Sequence, residues 1–132
     1  RVKNIILKPY QPRELLATSL TVPDVHLISL RPSLEGLIVP SKFYGIAAAG
    51  RPCIFIGDRN GQIPALLSDG RCGFSFEIGQ VDALERLICD LADQPEACVE
   101  LGLRARALFD AKFDRSHAMR AWWKTIERVA QL

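Results

Sequence analysis

The chain has 132 residues, room for one compact domain and little else. A hydrophobic fraction of 48% and a charged fraction of 24% allow a buried core and exclude a disordered tail. With 17 basic and 15 acidic residues the net charge is +2, too balanced for a nucleic-acid or membrane-surface footprint, and no apolar run is long enough to cross a bilayer.

The chain opens Arg1-Val2-Lys3-Asn4, with neither a starting Met nor a signal peptide, as expected of a piece cut from a larger protein. Asn4-Ile5-Ile6-Leu7 reads as a short buried strand, ended by Lys8-Pro9-Tyr10. Pro12 to Leu20 starts with Pro in a helix's first turn and carries apolar spacings of three and four. Val25 to Leu30 is a second strand, after the breaker pair Pro23-Asp24. A loop follows from Arg31 to Val39. Pro40 then opens a helix ending Ala47-Ala48-Ala49, with Gly50 at the C-terminal cap.

Cys53 to Ile56 is a third strand, continuously apolar and so buried on both faces. Gly57 to Gly61 is a turn. Ile63 to Leu67 is a short helix stopped at Asp69-Gly70, and Cys72 to Phe76 is a fourth strand. The remainder is helical. Asp82 to Ala92 is amphipathic, with Leu84, Leu87, Ile88 and Leu91 on one face. Pro95 starts a helix through Phe113, and a last one runs from about Ser116 to Val129. Strand–helix alternation with buried strands predicts a Rossmann-like α/β domain over residues 1–132, a parallel sheet with helices on both faces.

Cys53, Cys72, Cys89 and Cys98 form no CxxC pair, and the two histidines, His26 and His117, lie far apart. Zinc spacing is absent, so the thiols read as buried and reduced, in a reducing compartment, and no metal site is expected. His26 reads as a satisfied sheet histidine and His117 as solvated. Of Trp122 and Trp123, one is expected to pack and the other to stay near the surface, as a contact for a partner domain.

Ligands of such a sheet bind beyond the carboxyl ends of its strands. Two loops lie there, Arg31 to Val39 and Gly57 to Gly61. The Pro40 helix has its N-cap near Val39, which carries no capping oxygen, and Lys42 sits in the first turn, facing the positive end of the dipole. Such a start suits a phosphate; the plainer reading is a solvated lysine. Glu35 suits a sugar diol as an acceptor, or is simply exposed. Arg31 pairs either with Glu35 or with a phosphate. Ser41 and Lys42, as neighbours on a helix, do not share the face that a Ser–Lys nucleophile pair needs.

Pro32-Ser33-Leu34-Glu35-Gly36-Leu37-Ile38-Val39-Pro40, followed by Ala48-Ala49-Gly50-Arg51-Pro52, resembles the donor-binding signature of the retaining GT-B glycosyltransferases of family 4. Gly61-Gln62-Ile63-Pro64, Asp69-Gly70 and Gly73 resemble that family's next segment. Phe113-Asp114-Arg115-Ser116 with the Trp122 helix resembles its ending, and Pro40 to Ile46 is similar to exopolysaccharide and O-antigen members. The resemblance implies the later part of a C-terminal, nucleotide-sugar-binding domain, with the donor usually UDP-linked. Glu35 falls on the first Glu of the family's glutamate–seven–glutamate motif, the catalytic-site residue near the donor sugar. Arg31, Gly36, Ser41, Lys42, Asn60 and Gly61 are the implied donor-binding positions.

The second motif Glu has no counterpart here: Phe43 or Gly45 stands in its place, and Ala65 replaces the Glu of the next segment. Ribose recognition must then come from elsewhere, from Ser41, Lys42 or water. The resemblance implies a bacterial, cytoplasmic enzyme, peripheral to the inner membrane face, that moves a sugar onto a glycan or lipid-linked acceptor held by a missing N-terminal domain. It needs no cofactor beyond the nucleotide-sugar substrate, and no nucleic acid is involved. The alternatives are a GT-B-fold nucleotide-sugar epimerase and a flavodoxin-like regulatory module. By itself this chain is expected to be catalytically silent. The family's usual strand order places two further strands between the Asn4 and Val25 strands. Without them the Asn4 strand either pairs directly beside the Val25 strand or exchanges with a second copy, and exchange is the expectation.

Overall fold

In the computed structural model, which describes residues 3–130, three four-residue strands form one parallel sheet: β1 (His26–Ser29), β2 (Cys53–Ile56) and β3 (Gly73–Phe76), in the order β1-β2-β3. Between and after them run α1 (Leu16–Thr21, entered through a 3₁₀ turn at Arg13–Leu15), α2 (Lys42–Ala48), α3 (Gln62–Gly70), α4 (Val81–Asp93), α5 (Pro95–Lys112) and α6 (Arg115–Ala130). The predicted α/β class holds, with helices on both faces of the sheet.

The alternation of side chains along β2 explains how both faces are filled. Cys53 and Phe55 point into one cluster with Phe43 and Ile46 of α2, Ile63 and Leu67 of α3, and Ala105 and Leu108 of α5. Ile54 points the other way, into a smaller cluster with Leu91 of α4 and Cys98 of α5. Phe55 is 0% exposed, as a strand apolar on both faces requires. α5 passes from one cluster to the other. It crosses the end of α2 so closely that a Cβ on Gly102 would lie 2.2 Å from the Gly50 carbonyl oxygen. Gly50, at φ +66°, takes the left-handed cap conformation that its place after Ala49 predicts.

Three expectations need correction. Asn4–Leu7 is not a strand. It has no partner among the described residues, and Ile6 is 75% exposed. A strand exists only through a neighbour's hydrogen bonds, and no described residue supplies them here. β1 is buried on one face only: Ile28 is in the core, whereas Leu27 is 56% exposed, although its register partner Ile54 is buried on the same face under α4 and α5. Trp122 and Trp123 are both exposed, at 68% and 63%. No residue of α6 is buried, so neither indole packs.

Candidate functional site

All three strands point their carboxyl ends at the same set of loops: Arg31–Ser41 after β1, Gly57–Gly61 after β2, and Glu77–Gln80 after β3. The crevice that a parallel sheet reserves for ligands therefore lies among the predicted site residues. Two openings occur there.

The first is a polar cleft of about 450 Å³ between the start of α3 and the end of β3, lined by Arg59, Asn60, Gly61, Ser75, Glu77 and Gln80. Its floor is set by turn chemistry. The Asn60 backbone N–H donates to Asp58 Oδ1 at 2.9 Å, and the Gly61 N–H donates to the Asp58 carbonyl at 3.1 Å. Gln80 Oε1 accepts from the Glu77 N–H at 2.7 Å and closes the far side.

Glu35 joins this cleft to the β1 loop. Its Oε1 accepts a hydrogen bond from the Gln62 backbone N–H at 3.0 Å. Gly61, the N-cap residue of α3, has no side chain to cap the first free N–H groups, so the cap is brought from 27 residues away. The approach demands glycine: a Cβ on Gly61 would stand 2.5 Å from Glu35 Oε2. The adjoining Gly36 has φ +79°, with open space where a Cβ would be, and it turns the loop after Glu35. Sequence reasoning missed this capping contact. Its signal was a helix opening Gly61-Gln62-Ile63-Pro64 with no capping side chain of its own.

The second opening is a groove of about 390 Å³ along β1, bordered by Ile38, Val39, Pro40, Ser41 and Lys42. The helix beside it starts later than predicted. Ser41, not Val39, is the N-cap residue of α2, and its hydroxyl makes no capping bond. The Phe43 N–H donates to Pro40 O and the Tyr44 N–H to Ser41 O, so the first turn closes in the tighter i→i+3 manner. A seven-residue helix has a small dipole. Any pull on an anion here comes from the Lys42 ammonium. Arg31 and Glu35 form no ion pair, and the Arg31 guanidinium has no hydrogen-bond partner among the described residues.

The structure thus joins Glu35 to Gly61 and places Asn60 beside them, while Ser41 and Lys42 share the other groove. Phe43 is core, and a Cβ on Gly45 would already be 3.1 Å from Leu20 Cδ1 of α1. His26 donates from Nε2–H to the Leu20 carbonyl oxygen at 2.8 Å, as a satisfied sheet histidine does. His117, read as solvated, keeps 37% of its side chain exposed and also contacts Asp114, its Nδ1 2.6 Å from Oδ1. Cys53, Cys72 and Cys98 are buried and unpaired, and burial, with Cys72 nearby, pushes the Cys53 thiol up to about 12. Cys89 departs from the prediction and is exposed.

A third groove, of about 360 Å³ at the amino end of β1, is lined mainly by apolar residues such as Val25, Ile54 and Leu91. It lacks the convergent polar groups of the cleft above. No helix among the described residues is long and apolar enough to cross a membrane. No protein-family model matches the chain, no curated protein matches it, and no solved structure matches it.

Proposed function

We propose that the chain is the nucleotide-sugar-binding part of a glycosyltransferase that transfers a sugar from a UDP-linked donor onto a glycan or lipid-linked acceptor. The observation that carries this reading is the contact between Glu35 and Gln62. The two segments that resemble a donor-binding signature, Pro32–Pro40 and Gly61–Gly73, meet there atom to atom, at the carboxyl ends of parallel strands.

In this reading each group has a task. The Lys42 ammonium and the Arg31 guanidinium neutralise the diphosphate, whose charge grows as the sugar–phosphate bond breaks. Glu35 gives one oxygen to Gln62 and turns the other toward donor-sugar hydroxyls. Asn60 and the polar edge of the cleft bind the rest of the nucleotide-sugar. The acceptor belongs to a domain outside this chain, on the cytoplasmic side, at the inner face of the membrane.

Titration calorimetry with UDP and a UDP-sugar tests this. Lys42→Ala removes one charge-assisted contact and is expected to weaken both by roughly 1–3 kcal/mol. Donor affinity unchanged by Lys42→Ala removes the diphosphate from this groove.

A further inference from the structure

We propose that α6 docks on an anionic lipid surface, lying along it with its apolar stripe at the boundary between headgroups and acyl chains. The inference is carried by α6 itself and does not rest on the donor-binding reading.

α6 has two faces. At 3.6 residues per turn, Met119, Trp122, Trp123, Ile126 and Val129 fall within an arc of about 120°. Each is between 52% and 68% exposed, and no residue of the helix is buried. Arg120, Lys124 and Arg128 lie on the opposite side. With Arg115 and the single acid Glu127, α6 holds four basic residues against one acidic, a net +3 where the whole chain carries +2. The even balance of the chain thus hides a local excess on one element. A continuous apolar stripe of this kind, rimmed by charge, marks a surface that something covers.

Three observations choose what covers it. The cations of α6 are unanswered: Arg120, Lys124 and Arg128 meet no acid among the described residues, whereas Arg104 and Arg106 of α5 each meet one a turn away. Uncompensated positive charge along a helix is complementary to a layer of anionic headgroups. The indoles are placed for such a boundary. Trp123 stands at the border of the two faces, with its ring on the apolar side and its Nε1–H donated to Glu127 Oε1 at 2.6 Å. A ring with one wet end and one apolar end suits the zone between headgroups and acyl chains. The excess charge also disfavours a second copy, which would set one positive helix beside another. A helix charged along one whole side lies flat rather than crossing, and its long basic side chains reach the headgroups while their apolar stems stay against the stripe.

The test is cosedimentation of the whole chain with lipid vesicles, with tryptophan emission recorded on the same samples. Trp122 and Trp123 are the two tryptophans of the sequence, so the emission reports α6 directly. Vesicles of equal parts phosphatidylglycerol and phosphatidylcholine are expected to bind the protein, shift its emission to the blue and shield it from acrylamide. Vesicles of phosphatidylcholine alone should bind at least about tenfold more weakly, and added salt should release the protein. Ile126→Glu puts a charge in the middle of the stripe, and Lys124→Glu reverses one on the basic face. Each should lose at least about tenfold in binding. Both positions are exposed, so both variants keep the fold, which circular dichroism checks. No binding to the anionic vesicles overturns the proposal and leaves the stripe to a protein partner. Equal binding to neutral vesicles, or binding that Ile126→Glu leaves unchanged, overturns it too. So does emission already blue and shielded without vesicles, since another copy of the chain then covers the stripe.

Discussion

Glu35 is the residue on which the local architecture turns. A solitary loop carboxylate reads from sequence as an exposed acid or a sugar ligand, because nothing in its neighbourhood announces a helix 27 residues later. The structure gives it a cap to make, and the glycine that lets it approach. Glu35→Ala should cost about 0.5–2 kcal/mol in urea denaturation, the usual loss for a helix cap. Gly61→Ala should cost a similar amount by pushing the carboxylate away. If the two act through one contact, the double variant loses clearly less than their sum. Additive losses would mean that Glu35 and Gly61 serve the fold separately.

Legibility differed between elements for physical reasons. β2 was readable to the residue because Cys53-Ile54-Phe55-Ile56 is apolar on both faces, and only a central strand tolerates that. Ile5-Ile6-Leu7 is equally apolar but has no neighbour among the described residues, and composition does not report a missing partner. The end of α3 lies later than predicted because Gly70, read as a helix stop, is used for packing: a Cβ there would stand 2.8 Å from Leu108 Cδ2, and Arg71 takes the left-handed cap conformation at φ +47°. α6 was readable as a helix, but its start is fixed by a contact the sequence did not reveal. Asp114 accepts the His117 backbone N–H at 2.8 Å and the Ser116 hydroxyl at 2.9 Å, beside the His117 ring. The His117 backbone hydrogen bond, then the side-chain bonds, lower the Asp114 carboxyl from 3.8 to about 2. A carboxyl lowered by folding stabilises above its unfolded value, and the effect disappears as pH falls through its folded one. The start of α6 should therefore fray between about pH 4 and pH 2, seen as a loss of helical circular dichroism. Asp114→Asn should lack that step, and an identical pH profile in the variant would refute the cap.

At the scale of the molecule, a three-stranded sheet sets three loops side by side and distributes the candidate site over two openings, one polar and one beside β1. The alternation of strands and helices made that architecture legible. The division of the site was not, because it depends on how far the Arg31–Ser41 loop leans toward α3. Amide chemical shifts followed during titration with a UDP-sugar, up to about 1 mM, test the account most directly, since that concentration reports even weak binding. The account predicts saturable shifts that cluster at Ser41, Lys42, Asn60, Gly61 and Gln62. Shifts confined to the apolar groove around Val25, Leu91 and Cys98, or no saturable shifts at all, would contradict it.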